Sequence, residues 1–441
     1  MRIAGPCKRT GGDPLRPGRS ERIGVRAGPS QVGEYETEPE IVETISNHFN
    51  ISAERARDDF SKFLKRISQG QSCSGSILPG EKHVVFEPTS KCNGGCSHCY
   101  HAFHGQRLSS SEVLDVVDGL KKAGIRSISL TGGEVFSKHF IESFFELVDV
   151  LKKNDIKLSS VSTNATFITE EIRDKILKHV SKDTVFRISM DALRGEILDR
   201  IRPGYKSLDD PYHAIKDLDN EGVRLVFTTN IYEQPVSEFL EIGNYLRSYK
   251  NIETWNVRPA VPVHTEDNNR ARRKKGRVIK ILTPTDMPLD IYPVILKSHA
   301  ETPYPFDVRL GNYISTSLLK NPSALSAFED SHPCREDKNL MTVKANGDVT
   351  QCPILTELAP GMKLGNFKDD DFALSEDYEK DLPLANLSID DFECRSCRLL
   401  PVCGGGCRLY SMAYNDDIKG CDLPAYDLLS WVENDPDGIS K

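Results

Sequence analysis

The sequence lacks the marks of a secreted, membrane-spanning or nucleic-acid-binding protein. Its first residues, MRIAGPCKRT, have no apolar core of the kind that a secretory signal peptide carries. No run of about 18 apolar residues is available to cross a bilayer. The net charge of −8 does not favour nucleic acid, which is usually bound by a basic face. We therefore expect a cytoplasmic protein with neither nucleic-acid nor membrane partners.

Cysteine, by contrast, is abundant, with twelve in 441 residues. Many cysteines in a short secreted chain would predict disulfide bonds. In a long chain without a signal peptide they favour metal binding or catalysis in a reducing cytosol. Ten of the twelve fall into two groups, and only Cys7 and Cys73 stand apart.

Residue patterning divides the chain into five segments. Gly, Pro and Arg dominate residues 1–34 without apolar periodicity, which predicts an irregular or disordered start. Apolar spacing predicts two amphipathic helices in 35–72, with Ser52 as an N-cap. A basic run at 266–280 predicts a solvated loop or, alternatively, a contact for an acidic peptide. The predicted boundaries are 1–34, a helical region at 35–72, an α/β domain at 83–300, a cysteine-rich domain at 330–425 and a tail at 426–441.

Strands alternate with helices through the α/β segment. Six strands are predicted, in HVVFEPT, SISLTGGE, LSSVSTNA, VFRISMD, VRLVFTTN and ETWNVRPA. Strands separated by helices in this way form a parallel sheet. A closed TIM barrel has eight strands, so we expect a partial (β/α)6 TIM-like barrel.

The first cysteine group follows the first predicted strand. Cys92, Cys96 and Cys99 have the spacing CxxxCxxC, and loops at the carboxyl ends of parallel strands commonly bind ligands. Three thiolates can hold three irons of a 4Fe–4S cluster and leave the fourth iron open to an external ligand. The spacing alone also suits zinc. Three histidines crowd this loop, and we expect surface or supporting roles for them rather than ligation: His98, His101 and His104.

The cysteine loop and three later strand ends together resemble the radical S-adenosylmethionine (SAM) superfamily. Thr131-Gly132-Gly133-Glu134 is similar to the family's GGE motif. Ser162-Thr163-Asn164 is similar to its TNG motif, with Ala165 in place of the glycine. Ser189-Met190-Asp191 is similar to the SxD motif of peptide-modifying members. Two departures are Val135 where proline is common after GGE, and Gly94-Gly95 in place of an apolar-plus-basic pair.

The resemblance implies the chemistry and the roles of these residues. The cluster would reduce SAM to a 5′-deoxyadenosyl radical, with electrons from a reductant such as flavodoxin or ferredoxin. The backbone and carboxylate of the GGE motif would hold the SAM amino group. Ser189 and Arg200 match positions that contact the SAM carboxylate or ribose, and Tyr100 matches an aromatic position beside the adenine. The implied SAM contacts are Tyr100, Gly132, Gly133, Glu134, Asn164, Ser189, Asp191 and Arg200.

The second cysteine group resembles the SPASM domain, which binds two auxiliary 4Fe–4S clusters. A turn at Asn346-Gly347 predicts a hairpin that delivers Cys352. The resemblance assigns three cysteines to the first auxiliary cluster, whose fourth position stays open to substrate, water or another residue: Cys334, Cys352 and Cys407. It assigns four to the second: Cys394, Cys397, Cys403 and Cys421. A pair of zinc sites is the alternative.

The resemblance leaves three classes of function open. The first is a maturase that cross-links or oxidises a ribosomally made peptide. The second is a radical oxidase of a protein residue, like a sulfatase maturase, or of a small molecule such as a tetrapyrrole. The third is a non-catalytic zinc- or iron–sulfur-binding module. Residues 35–72 resemble the last two helices of a peptide-recognition domain, which would pair a leader peptide with a sheet edge; a plain helical extension is the alternative.

Overall fold

The computed structural model divides the chain into two compact units, residues 1–78 and 79–441. It describes residues 52–54, 82–96, 98–101, 105–202, 209–232, 234–261, 291–311, 314–316, 340–384, 387, 389–397, 399–403 and 405–434. In the first unit, Ala53 and Glu54 are helical directly after the predicted N-cap Ser52. The predictions for 1–34, for most of 35–72 and for 266–280 lie outside the described residues, as do Cys334 and His104.

An eleven-stranded sheet organises the second unit, in the order β11-β10-β9-β1-β2-β3-β4-β5-β6-β7-β8. Strands β1 to β7 pair in parallel, β9 joins the free edge of β1 in parallel, and the remaining pairings are antiparallel. The strands are β1 His83–Phe86, β2 Ser127–Leu130, β3 Lys157–Thr163, β4 Val185–Ser189, β5 Leu225–Ile231, β6 Ile252–Pro259, β7 Asp307–Leu310, β8 Ile314–Ser315, β9 Leu340–Val343, β10 Asp348–Thr350 and β11 Lys363–Asn366. All six predicted strands are confirmed as β1 to β6.

Helices follow most of the parallel strands. They are α1 Ser110–Lys122, α2 Ile141–Lys153, α3 Glu170–His179, α4 Gly195–Ile201, α5 Asp209–Asn220, α6 Val236–Leu246, α7 Ile291–Glu301, α8 Leu355–Leu358, α9 Leu400–Cys403, α10 Arg408–Asn415 and α11 Leu423–Asn434. The predicted tail is therefore helical as far as Asn434, and Leu428 and Leu429 in it are buried. No helix in the described part of the chain is long and apolar enough to span a membrane.

Local sequence explains where these helices begin. Ser109 accepts a hydrogen bond from the backbone of Glu112, and the Glu112 side chain accepts one from the backbone of Ser109, which forms a capping box at α1. Thr169 caps α3 in a similar way through the backbone N–H of Ile172. Apolar residues on one face of each helix then pack on the sheet, as Val113, Val116, Val117 and Leu120 do in α1.

The two faces of the sheet differ in chemistry. The face that packs on the helices is apolar and includes Phe86, Ile128, Val161, Ile188, Phe227, Trp255 and Val308. Alternate positions of the strands point to the other face. There they are mostly polar: His83, Ser127, Ser129, Ser160, Ser162, Arg187, Ser189, Thr228, Asn256 and Arg309.

This polar face is the inside of a curled sheet. His83 on β1 contacts the hydroxyls of Ser127 and Ser129 at 3.0 Å each. The hydroxyls of Ser129 and Ser160, on β2 and β3, are hydrogen-bonded at 2.6 Å. Arg187 on β4 donates to the Ser160 hydroxyl at 3.2 Å. Burial lowers the pKa of His83 to about 4, and the Arg187 guanidinium adds to this shift. Side chains from four strands therefore meet, as expected for the predicted α/β partial barrel, which is confirmed.

Candidate active site

The first cysteine loop leaves the barrel at the carboxyl end of β1. Cys92 is exposed, Cys99 is partly buried and Cys96 is buried. The backbone N–H of Cys99 donates to the carbonyl of Cys96 at 3.3 Å, which turns the loop back on itself. A bridge between Thr89 and Arg107 closes the base of the loop. The three thiols therefore stand on a loop whose two ends are tied together.

Gly132 and Gly133 pack directly beneath this loop. The backbone N–H of Gly133 donates to the carbonyl of Thr89 at 2.7 Å, and that of Glu134 donates to the carbonyl of Lys91 at 2.9 Å. A Cβ at Gly133 would lie 2.0 Å from the Lys91 carbonyl oxygen, and one at Gly132 would lie 2.2 Å from that of Thr89. Only glycine permits this approach. The motif therefore fixes the start of the cysteine loop in addition to any contact with SAM.

Glu134 is fully buried and joins the ends of β2 and β3. Its carboxylate accepts hydrogen bonds from the Thr163 hydroxyl at 2.7 Å, the Asn164 backbone at 2.7 Å and the Phe136 backbone at 3.1 Å. Burial raises the pKa of Glu134, although these donors oppose the shift. An ionised carboxylate offers about four acceptor positions. Three are used by these donors, so one acceptor position remains for a cationic donor.

Asn164 links the end of β3 to the cysteine loop. Its side-chain amide donates to Asn93 at 3.0 Å and approaches the Cys92 sulfur at 3.8 Å. The backbone N–H of Gly94 also points at that sulfur, at 3.4 Å. The next residue, Ala165, adopts a φ of 65°, the left-handed conformation that favours the family's glycine. The sequence departure at Ala165 therefore keeps the glycine-like backbone.

Arg202 is the residue that the sequence analysis missed. Its Nε donates to the carboxylate of Asp191 at 2.6 Å, and its Nη1 approaches the sulfur of Cys96 at 3.7 Å. Both residues are buried. Although burial opposes it, the Arg202 guanidinium lowers the pKa of Asp191. Arg200, the predicted SAM contact, is exposed on α4, and that role stays a prediction.

Tyr100 forms a buried link from the cysteine loop to β1. Its hydroxyl donates to Glu87, a fully buried carboxylate that also lies 3.7 Å from His101. Burial and Glu87 raise the pKa of Tyr100 well above its usual value, and the nearby Cys99 and Cys352 add to the shift. Sequence spacing could not single out Glu87, because it carries no motif.

His98 and Ser189 also lie at this edge of the sheet. The His98 ring packs on Tyr232 with the ring centres 5.3 Å apart, and His98 also helps to lower the pKa of Asp191. Ser189 is the partly exposed last residue of β4. The structure therefore brings six of the predicted SAM contacts together around the cysteine loop, with Ser189 at the carboxyl end of β4: Tyr100, Gly132, Gly133, Glu134, Asn164 and Asp191.

Four carboxy-terminal cysteines line one cavity. It measures about 290 Å³ with its open mouth included, and its lining contains Cys394, Cys397, Cys403 and Cys421. These are the four residues assigned to the second auxiliary cluster. Burial raises the pKa of Cys403, and the neighbouring Asp422 carboxylate adds to this shift.

Arg408 and Asp422 hold the loops around this cavity. Arg408 is fully buried, donates to the carbonyls of Gly405, Ile418 and Gly420, and lies 4.3 Å from the ring centre of Phe392. Asp422 accepts from the backbone N–H of Cys407 at 2.6 Å and of Ala425 at 3.1 Å. Neither residue carried a motif in the sequence.

Cys352 and Cys407, assigned to the first auxiliary cluster, share a second environment. Both pack against the small apolar cluster of Leu355, Leu384 and Leu409. The hairpin that delivers Cys352 is confirmed, since β9 and β10 are antiparallel and Gly347 between them has a φ of 90°. Cys407 directly precedes α10 as its N-cap.

The cysteine sulfurs at these sites are the candidate ligands for iron. Within the described ranges, no three His, Cys, Asp or Glu side chains converge closely enough to hold one ion, as zinc would require at about 2.0–2.3 Å. In a 4Fe–4S cluster each thiolate binds a different iron, so the sulfurs stay apart. N–H groups of Gly94 and Arg202 already point at the sulfurs of Cys92 and Cys96. Burial raises the pKa of Cys99 to about 12, and the neighbouring Cys96 adds to this shift. Iron must therefore displace the proton of this thiol when it binds.

One family of known proteins is similar to the part of the chain that carries the first cysteine loop. Residues 86–246 match the family model of the Radical SAM superfamily. This match spans the cysteine loop and runs to the end of α6, so this part of the chain is similar to a radical SAM domain.

Individual relatives are similar to parts of the chain. The antilisterial bacteriocin subtilosin biosynthesis protein AlbA of Bacillus subtilis is 27% identical over 173 residues, 38% of each chain. The sporulation killing factor maturation protein SkfB of the same organism is 27% identical over 157 residues, 35% of this chain and 37% of SkfB. The chain thus spans less than two fifths of these two relatives.

Solved structures share the fold over a larger region. Streptococcus suis SuiB bound to S-adenosylmethionine has a TM-score of 0.55 at 18% identity, covering 82% of this chain and 79% of SuiB. The enzyme anSMEcpe with bound AdoMet has a TM-score of 0.61 at 18% identity, covering 81% of this chain and 98% of that one. At these identities the likeness concerns the fold.

Proposed function

We propose that the chain is a radical SAM/SPASM enzyme that abstracts hydrogen from a peptide, most naturally a ribosomally made one, to form a cross-link or an oxidised residue. The observation that carries the proposal is the cysteine loop itself. Its three thiols stand on a backbone tied to Gly132-Gly133 and are flanked by Asn164 and Arg202.

Cys92, Cys96 and Cys99 would hold the SAM-binding cluster. A reduced 4Fe–4S cluster held there would supply the electron for cleavage of SAM to methionine and a 5′-deoxyadenosyl radical. The residues around it bind and orient SAM. The remaining acceptor position of Glu134 suits the SAM ammonium group, and the Arg202 guanidinium, held in place by Asp191, suits a carboxylate. The other predicted contacts, Tyr100, Asn164 and Ser189, would complete the SAM site.

The cavity of Cys394, Cys397, Cys403 and Cys421 would hold the second auxiliary cluster. Cys352 and Cys407, with Cys334, would hold the first. Such clusters supply an acceptor for the electron that a substrate radical must lose in a net oxidation. Arg408 and Asp422 would keep the ligand loops in place by satisfying backbone groups of residues 405–425.

The names of the relatives support a peptide substrate. AlbA and SkfB are a bacteriocin biosynthesis protein and a killing-factor maturation protein, and SuiB has also been solved bound to its precursor peptide SuiA. A second candidate is oxidation of a small molecule such as a tetrapyrrole. The Fe-coproporphyrin III synthase of Methanosarcina barkeri, 28% identical over 171 residues, favours it.

Anaerobic reconstitution tests the proposal. The full-length protein, loaded with iron and sulfide, should bind about twelve irons if three 4Fe–4S clusters form. With dithionite or a reduced flavodoxin and SAM, it should release 5′-deoxyadenosine. The Cys92→Ala/Cys96→Ala/Cys99→Ala variant should retain about two thirds of the iron but should release no 5′-deoxyadenosine.

Two outcomes would contradict this function. A colourless protein that carries stoichiometric zinc after anaerobic purification would favour a non-catalytic zinc module. Unchanged SAM cleavage in the triple variant would place the reactive cluster elsewhere. A mass loss of two hydrogens in a candidate precursor peptide would support the peptide substrate, whereas turnover of a tetrapyrrole alone would favour the second candidate.

A further inference from the structure

Two arginines lie on the polar inner face near the carboxyl ends of β6 and β7. Trp255 and Val257 of β6 are buried against the helices, so the alternate residue Arg258 points to the inner face. Val308 of β7 is buried in the same way, which places Arg309 on the inner face.

The pairing of the strands brings these arginines next to each other. Arg309 pairs with Asn256 in the parallel ladder, and Arg258 lies two residues further along β6 on the same face. Side chains in such diagonal positions on neighbouring strands are within reach of one ligand. The radical-generating motifs follow the carboxyl ends of β1 to β4 in the same sheet, so the pair lies at the same open edge.

Within the described part of the chain, this pair of arginines has little contact with carboxylates. Arg258 is exposed, and among the described residues it has no hydrogen bond or ion pair. Arg309 has one contact there, from its Nε to Asp307 at 3.4 Å. Asp307 also accepts hydrogen bonds from the hydroxyls of Ser315 and Thr316 at 2.8–3.1 Å. The Asp307 carboxylate that contacts Arg309 therefore also accepts hydrogen bonds from two hydroxyl donors.

The end of β6 also contacts the helix that follows Cys407. The Tyr410 hydroxyl donates to the carbonyl of Pro259 at 2.8 Å, and the Tyr414 hydroxyl approaches the carbonyl of Ala260 at 3.4 Å. Although burial raises the pKa of Tyr410, Arg258 is close enough to oppose that shift. Arg258 therefore stands where the barrel edge meets one of the predicted auxiliary-cluster ligands.

We propose that Arg258 and Arg309 bind a carboxylate of the substrate peptide, and that the substrate therefore carries an acidic side chain near its reacting residue. This inference rests on the proposed peptide substrate. Two adjacent guanidinium groups offer paired N–H donors that match the geometry of a carboxylate. A carboxylate bound there would hold the peptide between the radical site and Cys407.

Binding of a defined peptide tests the inference without any catalysis. We would measure, with the reconstituted full-length protein, the anisotropy of a fluorescein-labelled peptide of alternating Glu and Ser and of its Gln–Ser counterpart. The acidic peptide should bind about tenfold tighter, and added salt should weaken its binding. Arg258→Gln/Arg309→Gln should remove that preference, whereas Arg126→Gln, at the opposite end of the barrel, should retain it.

The possible results separate this inference from the proposed function. Equal binding of the two peptides, or an acidic preference that survives in Arg258→Gln/Arg309→Gln, would overturn it. Competition by free glutarate at the same concentration as the peptide would also overturn it, because the pair would then bind any small acid. The exposed single variant Arg258→Gln serves if the double variant does not fold. Since SAM and reductant are absent, a failure of radical chemistry leaves these results unchanged.

Discussion

The two cysteine-bearing regions are built in opposite ways. The first cysteine loop is anchored to a parallel sheet by backbone hydrogen bonds to Gly133 and Glu134 and by the bridge between Thr89 and Arg107. The carboxy-terminal cysteines lie among short elements, such as α9 and the turn at Ile389–Asp391. Two buried polar side chains, Arg408 and Asp422, hold those loops together.

This difference indicates how each region depends on its metal. The sheet positions the first loop whether or not a cluster is bound. The second region consists of short elements joined by loops, so cluster binding should supply much of its stability. The comparison therefore predicts that metal removal affects the two regions unequally.

Removal of ligands should show the largest contrast. In Cys394→Ala/Cys397→Ala, backbone hydrogen exchange should rise by about tenfold or more across residues 389–430, because the cluster no longer links the loops. Product formation should stop while SAM cleavage partly remains. The matched variant Cys92→Ala/Cys96→Ala should abolish SAM cleavage and leave exchange in β1 and β2 nearly unchanged. Equal loosening of both regions would break the comparison.

The buried pair of Arg202 and Asp191 should dominate the stability of the first site. Arg202→Met leaves the Asp191 carboxylate buried without its guanidinium, which should cost about 3–5 kcal/mol of unfolding free energy. Arg200→Met, two residues earlier and exposed, should cost less than about 0.5 kcal/mol. Denaturant unfolding measures both. SAM affinity of the same variants tests the two arginines as ligands, and a large loss in Arg200→Met alone would restore the role predicted from sequence.

The polar network at the base of the barrel should make stability depend on pH. His83 in the folded protein takes up a proton only near pH 4, whereas an unfolded histidine does so near pH 6.5. Between these values the unfolded state binds more protons, so stability should fall as the pH falls, by up to about 3 kcal/mol. His83→Asn should flatten this dependence, and the exposed His139→Asn should not. A profile unchanged by His83→Asn would contradict the buried neutral imidazole.

Substitution of Gly133 beneath the first cysteine loop should have the smallest of these effects. A Cβ there meets the Lys91 carbonyl, so Gly133→Ala should cost about 1–3 kcal/mol and lower iron retention at the first cluster. Gly195→Ala serves as the control, because a Cβ there meets no atom within 4 Å. Equal effects of the two changes would show that the close approach is unimportant.

The sequence was sufficient to predict those features whose signal lies within a few neighbouring residues. The six strands and the cysteine loop could be predicted because alternation and spacing are local signals. The pairing of β9 with β1 could not, because it joins segments more than 250 residues apart through a register that no local pattern encodes.

Arg202 shows a second limit of sequence reasoning. It stands at the C-cap of α4, where φ is −124° and ψ is 70°, so the chain leaves the helix at this residue and its side chain turns inward. Arg200, within the last helical turn, points outward. Motif spacing could identify an arginine in this segment, but the direction of each side chain depends on where the helix ends.

Electron paramagnetic resonance of the reduced protein, recorded before and after SAM is added, tests the central claim most directly. SAM bound to the open iron of the Cys92–Cys96–Cys99 cluster should change the spectrum of one cluster. The change should persist in Cys394→Ala/Cys397→Ala and disappear in Cys96→Ala. A spectrum that does not respond to SAM in the wild-type protein, or that responds equally in Cys96→Ala, would contradict the account.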